Sequence, residues 1–136
     1  MKALITGASS GIGYNMAKYL NSMGYSLILV ARDKEKLQKI QKELSGEVKI
    51  VVADLSNESK LKELYVLCKN DNIDILINNA GFGLFGEFTE TDLNKELEMI
   101  DVNIKAVHIL TKLFLKDMKK RNKGYILNVS SAASFQ

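Results

Sequence analysis

The chain has 136 residues, 46% hydrophobic and 26% charged, which is the size and balance of one globular domain and not of a disordered or fibrous chain. Nineteen Lys and Arg against sixteen Asp and Glu leave a net charge of +3, too small an excess to argue for nucleic acid. One cysteine, Cys68, excludes an internal disulfide, and one histidine, His108, leaves no credible zinc constellation.

No apolar run approaches the ~18 residues that a membrane-spanning helix needs. The segment Met1–Gly7 is too short, and too soon broken by glycine, to read as a signal peptide. A cytoplasmic chain with no membrane partner is therefore expected. Proline, linkers and low-complexity tracts are all absent, so residues 1–136 read as one domain.

Ala3–Thr6 is a short apolar run stopped by Gly7, the pattern of a buried strand. Ile12, Met16 and Leu20 then recur at helical spacing until Gly24, a helix-ending residue. Leu27–Ala31 is a second strand, and Asp33 caps a helix with Leu37, Ile40 and Leu44 on one face, closed by Gly46. Val48–Ala53 is a third strand, followed by Asp54 and a helix carrying Leu61, Leu64 and Cys68. Ile73–Ile77 is a fourth, with Asp74 its polar interruption.

A glycine-rich loop (Gly81, Gly83, Gly86) leads into one long helix from about Thr91 to Lys120, and Tyr125–Val129 is a fifth strand. Alternating strands and helices require parallel strands with helical crossovers. The fold class is α/β, a doubly wound parallel sheet, whose ligands bind beyond the carboxyl ends of the strands.

The motifs fall at those ends. The first strand runs into Thr6-Gly7-Ala8-Ser9-Ser10-Gly11-Ile12-Gly13 and then a helix. Glycines here permit a tight turn and close approach of a pyrophosphate, and the helix start adds partial positive charge. The spacing Gly-x-x-x-Gly-x-Gly is neither the Gly-x-Gly-x-x-Gly fingerprint nor a P-loop. Arg32 follows the second strand, where an acid would bind a ribose 2′-hydroxyl and an arginine a 2′-phosphate; a solvated surface arginine is the alternative. Asp54 follows the third strand, as ligand or as a cap of the next turn. Asn78-Asn79-Ala80-Gly81 follows the fourth. Asn103 places an amide among apolar helix positions and needs a hydrogen-bond partner.

In this order and spacing the segments resemble the short-chain dehydrogenase/reductase family, in its short single-domain branch, over the whole chain. The resemblance implies an NAD(P)-binding Rossmann-like fold, here without the family's C-terminal side. It implies a nicotinamide dinucleotide bound at Gly7, Ser9, Ser10, Gly11, Ile12 and Gly13. A basic Arg32 directly after the second strand implies NADP(H) over NAD(H), although Ser10 stands where members with the strongest 2′-phosphate signature place a basic residue. Asp54 would accept from the adenine amino group with Leu55 packed beside it. Asn79, Ala80 and Gly81 would lie at the cofactor ribose. Asn103 matches the helix asparagine that holds a water in the proton relay. Ser131, in preference to Ser130, matches the serine that hydrogen-bonds the substrate carbonyl.

The family's general acid/base tyrosine lies about a dozen residues beyond that serine, with a lysine four residues further on. This sequence stops five residues after Ser131. Tyr14–Lys18 and Tyr65–Lys69 match Tyr-x-x-x-Lys but sit in the wrong helices and read as accidental pairings. The expected function is hydride transfer between NADP(H) and a small carbonyl/alcohol substrate, with this chain as the cofactor-binding half. The alternative is a non-catalytic dinucleotide-binding or interaction module.

Three lesser expectations complete the reading. An apolar stripe of Val107, Leu110, Phe114 and Met118 on the Asn103 helix would lie exposed and make the chain a homo-oligomer. The basic residues of Lys116–Lys123 form a solvated helix end. The loop Phe82–Gly86 lines a substrate entrance or seats itself on the core.

Overall fold

The structure, a computed structural model, describes residues 1–130. Five strands, β1 (Lys2–Thr6), β2 (Ser26–Ala31), β3 (Val48–Val52), β4 (Ile75–Asn78) and β5 (Tyr125–Asn128), form one sheet in the order β3-β2-β1-β4-β5. All four pairings are parallel. The helices are α1 (Gly11–Ser22), α2 (Lys34–Glu43), α3 (Glu58–Cys68), α4 (Leu93–Ile100) and α5 (Ala106–Arg121). The chain thus has the α/β Rossmann-like fold that its alternating pattern requires.

Both faces of the central strands are covered, so their side chains alternate between two cores. Ala3, Ile5, Leu27 and Leu29 pack with Ala17 of α1 and Leu37 and Ile40 of α2. Leu4, Ile28, Val30 and Leu76 pack on the other face with Leu61, Leu64 and Cys68 of α3 and Leu110, Phe114 and Met118 of α5. Burial pushes the Cys68 thiol up from its ordinary pKa, as suits a packing residue.

Helix ends follow local chemistry. The Asp33 carboxylate accepts from the Lys36 N–H at 3.1 Å and starts α2. At α3 the capping residue is Asn57, whose Oδ1 accepts from Ser59 N at 2.9 Å. Asp54 instead binds Ser56, accepting its N–H at 3.0 Å and its hydroxyl at 2.7 Å. The basic end of α5 is ordered in part, since Arg121 donates to the Ile73 carbonyl at 2.5 Å and Lys123 pairs with Asp74 at 3.3 Å.

Every strand differs from the periodicity by one or two residues at an end, and the long helix is divided. The third strand stops at Val52, one residue early. The fourth runs Ile75–Asn78, preceded by Asp74, whose backbone donates to the Lys2 carbonyl at 2.9 Å and whose carboxylate accepts the Lys2 N–H at 2.9 Å. The long helix is two α-helices joined by a π turn over Asp101–Lys105, where the Ala106 N–H bonds the Asp101 carbonyl.

Of the four residues expected to lie exposed, three do not, and Val107 is half-buried. Leu110, Phe114 and Met118 are 1–4% exposed, because α5 lays them against the sheet and α3. The exposed apolar residues of this region are instead Leu93, Leu97, Ile100, Ile104 and Leu115. Helical spacing reveals that one face is buried but not which neighbour buries it.

Candidate functional site

Chain order and sheet order part company at β1, which has β2 on one side and β4 on the other. The loops leaving these two neighbours diverge and open a crevice above the carboxyl ends of the strands. A cleft of about 660 Å³ lies there, within the size range of small-molecule sites.

Its wall is built strand by strand. From β1 come Gly7, Ser9, Ser10 and Ile12; from β2, Ala31, Arg32 and Asp33; from β3, Ala53, Asp54 and Leu55; from β4, Asn79, Ala80, Gly81 and Phe82. Val102 of the π turn closes the side. Gly11 and Gly13 do not line the cleft but shape the turn that does.

Thr6 ties the two central loops together. Buried at 2% exposure, its Oγ1 accepts from the Asn79 and Ala80 N–H groups at 3.0 Å each and donates to the Ile77 carbonyl at 3.4 Å. Asn79 returns the bond, donating from Nδ2 to the Thr6 carbonyl at 3.2 Å and the Gly7 carbonyl at 3.1 Å. Asn78 points the other way and braces the sheet, donating to Asn128 Oδ1 at 2.9 Å and Thr111 Oγ1 at 3.2 Å.

This closeness dictates glycine. Gly7 has φ +63°, and a Cβ there would stand 2.8 Å from Ala80 Cα. A Cβ on Gly13 would overlap the Gly7 carbonyl oxygen and come within 2.5 Å of Asn79 Nδ2. The start of α1 has no side-chain cap and no acid in its first turn. Its positive end therefore faces the cleft uncompensated, which fits a phosphate group.

The far end of the cleft is charged. Arg32 is exposed on the loop after β2, its Nη1 3.4 Å from Glu98 Oε1. The hydrogen bonds from Ser56, with help from the Arg32 charge, hold the Asp54 carboxyl below its ordinary pKa. Asp54 is thus an ionised acceptor at neutral pH.

At the opposite end, Asn103 lies in the π turn with its amide on the backbone of Phe82. A Cβ on Gly81 would stand 2.8 Å from Asn103 Oδ1, so loop and helix are in contact. Ser131 lies outside the described residues. Phe82, expected in a loop at a substrate entrance or on the core, lines the cleft; Val102 was not recognised from sequence, because it reaches the cleft only through helix packing, which no local motif encodes.

Neither Tyr-x-x-x-Lys pair reaches the cleft. Tyr14 donates to Glu43 at 2.7 Å and Tyr65 to Asp117 Oδ2 at 2.7 Å. Each carboxylate partner raises its phenol's pKa, the wrong direction for proton exchange near neutrality.

Comparison with known proteins agrees with this architecture. A family model described as short chain dehydrogenase matches residues 1–136. An uncharacterized oxidoreductase of Staphylococcus epidermidis is 35% identical over 136 residues, covering 98% of this chain and 59% of the relative. The structure of a metagenomic short-chain oxidoreductase in complex with NADP superposes with a TM-score of 0.91 at 36% identity, covering 98% of this chain and 63% of that one. A short-chain dehydrogenase from Sphingobium yanoikuyae in complex with NADPH gives 0.91 at 33% identity, covering 98% and 55%. The chain therefore spans about 59% of the length of the curated relatives it matches. From the glycine turn to the crevice beside β1, sequence and fold agree: this chain belongs to the short-chain dehydrogenase family.

Proposed function

We propose that the chain is the cofactor-binding portion of an NADP(H)-dependent oxidoreductase acting on a small carbonyl/alcohol substrate. The observation that carries this reading is the cleft itself, with an uncapped helix start at its centre and Arg32 at the end of β2. The residues fit a dinucleotide. Gly7, Gly11 and Gly13 clear space for the pyrophosphate, and the hydroxyls of Ser9 and Ser10 with the Ile12 backbone N–H hold it. Arg32 pairs with the 2′-phosphate. Asp54 accepts from the adenine amino group beside Leu55, and Asn79, Ala80 and Gly81 border the second ribose. When bound, the nicotinamide would supply the hydride.

Asn103 fixes the Gly81–Phe82 backbone at the reacting end. Ser131 is assigned to the substrate carbonyl by its place in the motif. Among the described residues no tyrosine lines the cleft, and none of them is assigned as the proton donor. The same observation favours a second reading, a dinucleotide-binding module without catalysis of its own.

Fluorescence titration with NADPH and NADH tests the main reading. Arg32→Asp should weaken NADPH about tenfold or more relative to NADH. Equal losses for both cofactors would remove Arg32 from the 2′-phosphate site. Measurable carbonyl reduction by the chain alone would show that the proton donor lies within these 136 residues.

A further inference from the structure

Arg32 does not stand free at the mouth of the cleft. Its Nη1 lies 3.4 Å from Glu98 Oε1, a contact between residues 66 apart in sequence. The other oxygen, Glu98 Oε2, lies 3.8 Å from Lys95 Nζ. The Glu98 side chain is 27% exposed against 66% for Arg32, so an exposed guanidinium reaches to a carboxylate seated on α4. Glu98 lies four residues before Val102, which lines the cleft. Asp33 and Asp54 line the same end, so three carboxylates share the neighbourhood of this arginine.

We propose that Glu98 is a resident competitor for the ligand's 2′-phosphate: it engages Arg32 as an internal counter-ion and so limits discrimination between 2′-phosphorylated and unphosphorylated adenosine ligands. The proposal rests on the assignment of Arg32 to the 2′-phosphate.

The electrostatics give its sign. A phosphate monoester brings a charge of about −1.5 to −2 at neutral pH. To reach Arg32 it must displace Glu98 or share the guanidinium's five N–H donors with it. If they share, the two anions repel each other within a Debye length of about 8 Å, where salt screens them incompletely. A free 2′-hydroxyl has neither cost. Glu98 therefore acts against the phosphorylated ligand alone. Glu98→Gln keeps the shape and the hydrogen-bond acceptor while removing the charge.

The test uses the 136-residue chain and two probes, 2′,5′-ADP and 5′-AMP, which differ only in the 2′-phosphate. Affinities are measured by calorimetry for the unaltered chain, E98Q, E98A, R32A and the R32A/E98Q double variant. E98Q and E98A should each tighten 2′,5′-ADP about twofold to fivefold and leave 5′-AMP unchanged. The gain should be markedly smaller in the R32A background, where only the direct repulsion between the two anions is left to relieve. If R32A lowers the 2′,5′-ADP to 5′-AMP affinity ratio but the Glu98 variants leave it unchanged or lower it, the competitor role is overturned and the Arg32 assignment stands. If R32A leaves the ratio unchanged, or neither probe binds, the assignment fails and the proposal with it.

Discussion

Asn103 clasps the backbone of Phe82 from both sides, donating to its carbonyl at 2.8 Å and accepting from its N–H at 3.0 Å. One side chain in the π turn thus pins the loop that carries Gly81 and Phe82 into the cleft. Asn103→Leu removes both bonds and leaves two backbone groups to find water. A loss of about 1–2 kcal/mol in urea unfolding is expected, together with faster amide exchange at Phe82. Unchanged exchange there would mean that the loop is held by something else.

Thr6 holds the other side of the cleft through its hydroxyl. Thr6→Val preserves shape but strips the partner from two N–H groups, Asn79 and Ala80, next to a buried strand end. The expected cost is about 1–3 kcal/mol, and Thr6→Ser should recover most of it because the hydroxyl returns. If serine were no better than valine, methyl packing and not the hydrogen bonds would be what matters at this position.

Gly13→Ala should be enough to damage the site. The added methyl meets the Gly7 carbonyl, which is backbone and cannot swing aside. A destabilisation of about 1–3 kcal/mol is expected, with loss of nucleotide binding as the turn is pushed open. Retained NADPH affinity in a folded Gly13→Ala protein would contradict a phosphate held by this turn.

Asp74 gives the fold a predictable acid response. Burial acts to raise its pKa, but the Lys2 N–H and the Lys123 ammonium outweigh it and bring the value below its ordinary 3.8. A depressed folded pKa means that the carboxylate contributes stability above the unfolded pKa and loses it as pH falls through the folded one. Stability should therefore decline below about pH 4. Asp74→Asn should be less stable near neutrality by about 1–3 kcal/mol and show a shallower decline on acidification. Parallel stability curves for the two proteins would rule out this residue as a contributor.

Much of this was legible in the sequence. The glycine turn, the strand-end positions of Arg32, Asp54 and Asn79, and the buried apolar runs of β1 and β2 follow from local spacing, and ten of the cleft's lining residues were nameable from motifs. Val102 and the keystone role of Thr6 were not, since a threonine ending a strand looks like any other strand residue. The α5 stripe misled for a related reason. Leu110, Phe114 and Met118 repeat every four residues whether their partner is a second chain or the sheet beneath them.

The π turn over Asp101–Lys105 acts as an angular offset. An α-helix turns about 100° per residue, so one surplus residue sets the faces of α4 and α5 out of phase. Deleting a residue there would let the helix close into a regular register. It would also swing Glu98 and Val102 about 100° around the axis, away from Arg32 and the cleft, while Ala106, Leu110 and Phe114 stayed on the sheet. The length of this short segment, more than the identity of its side chains, decides which way the first half of the helix points.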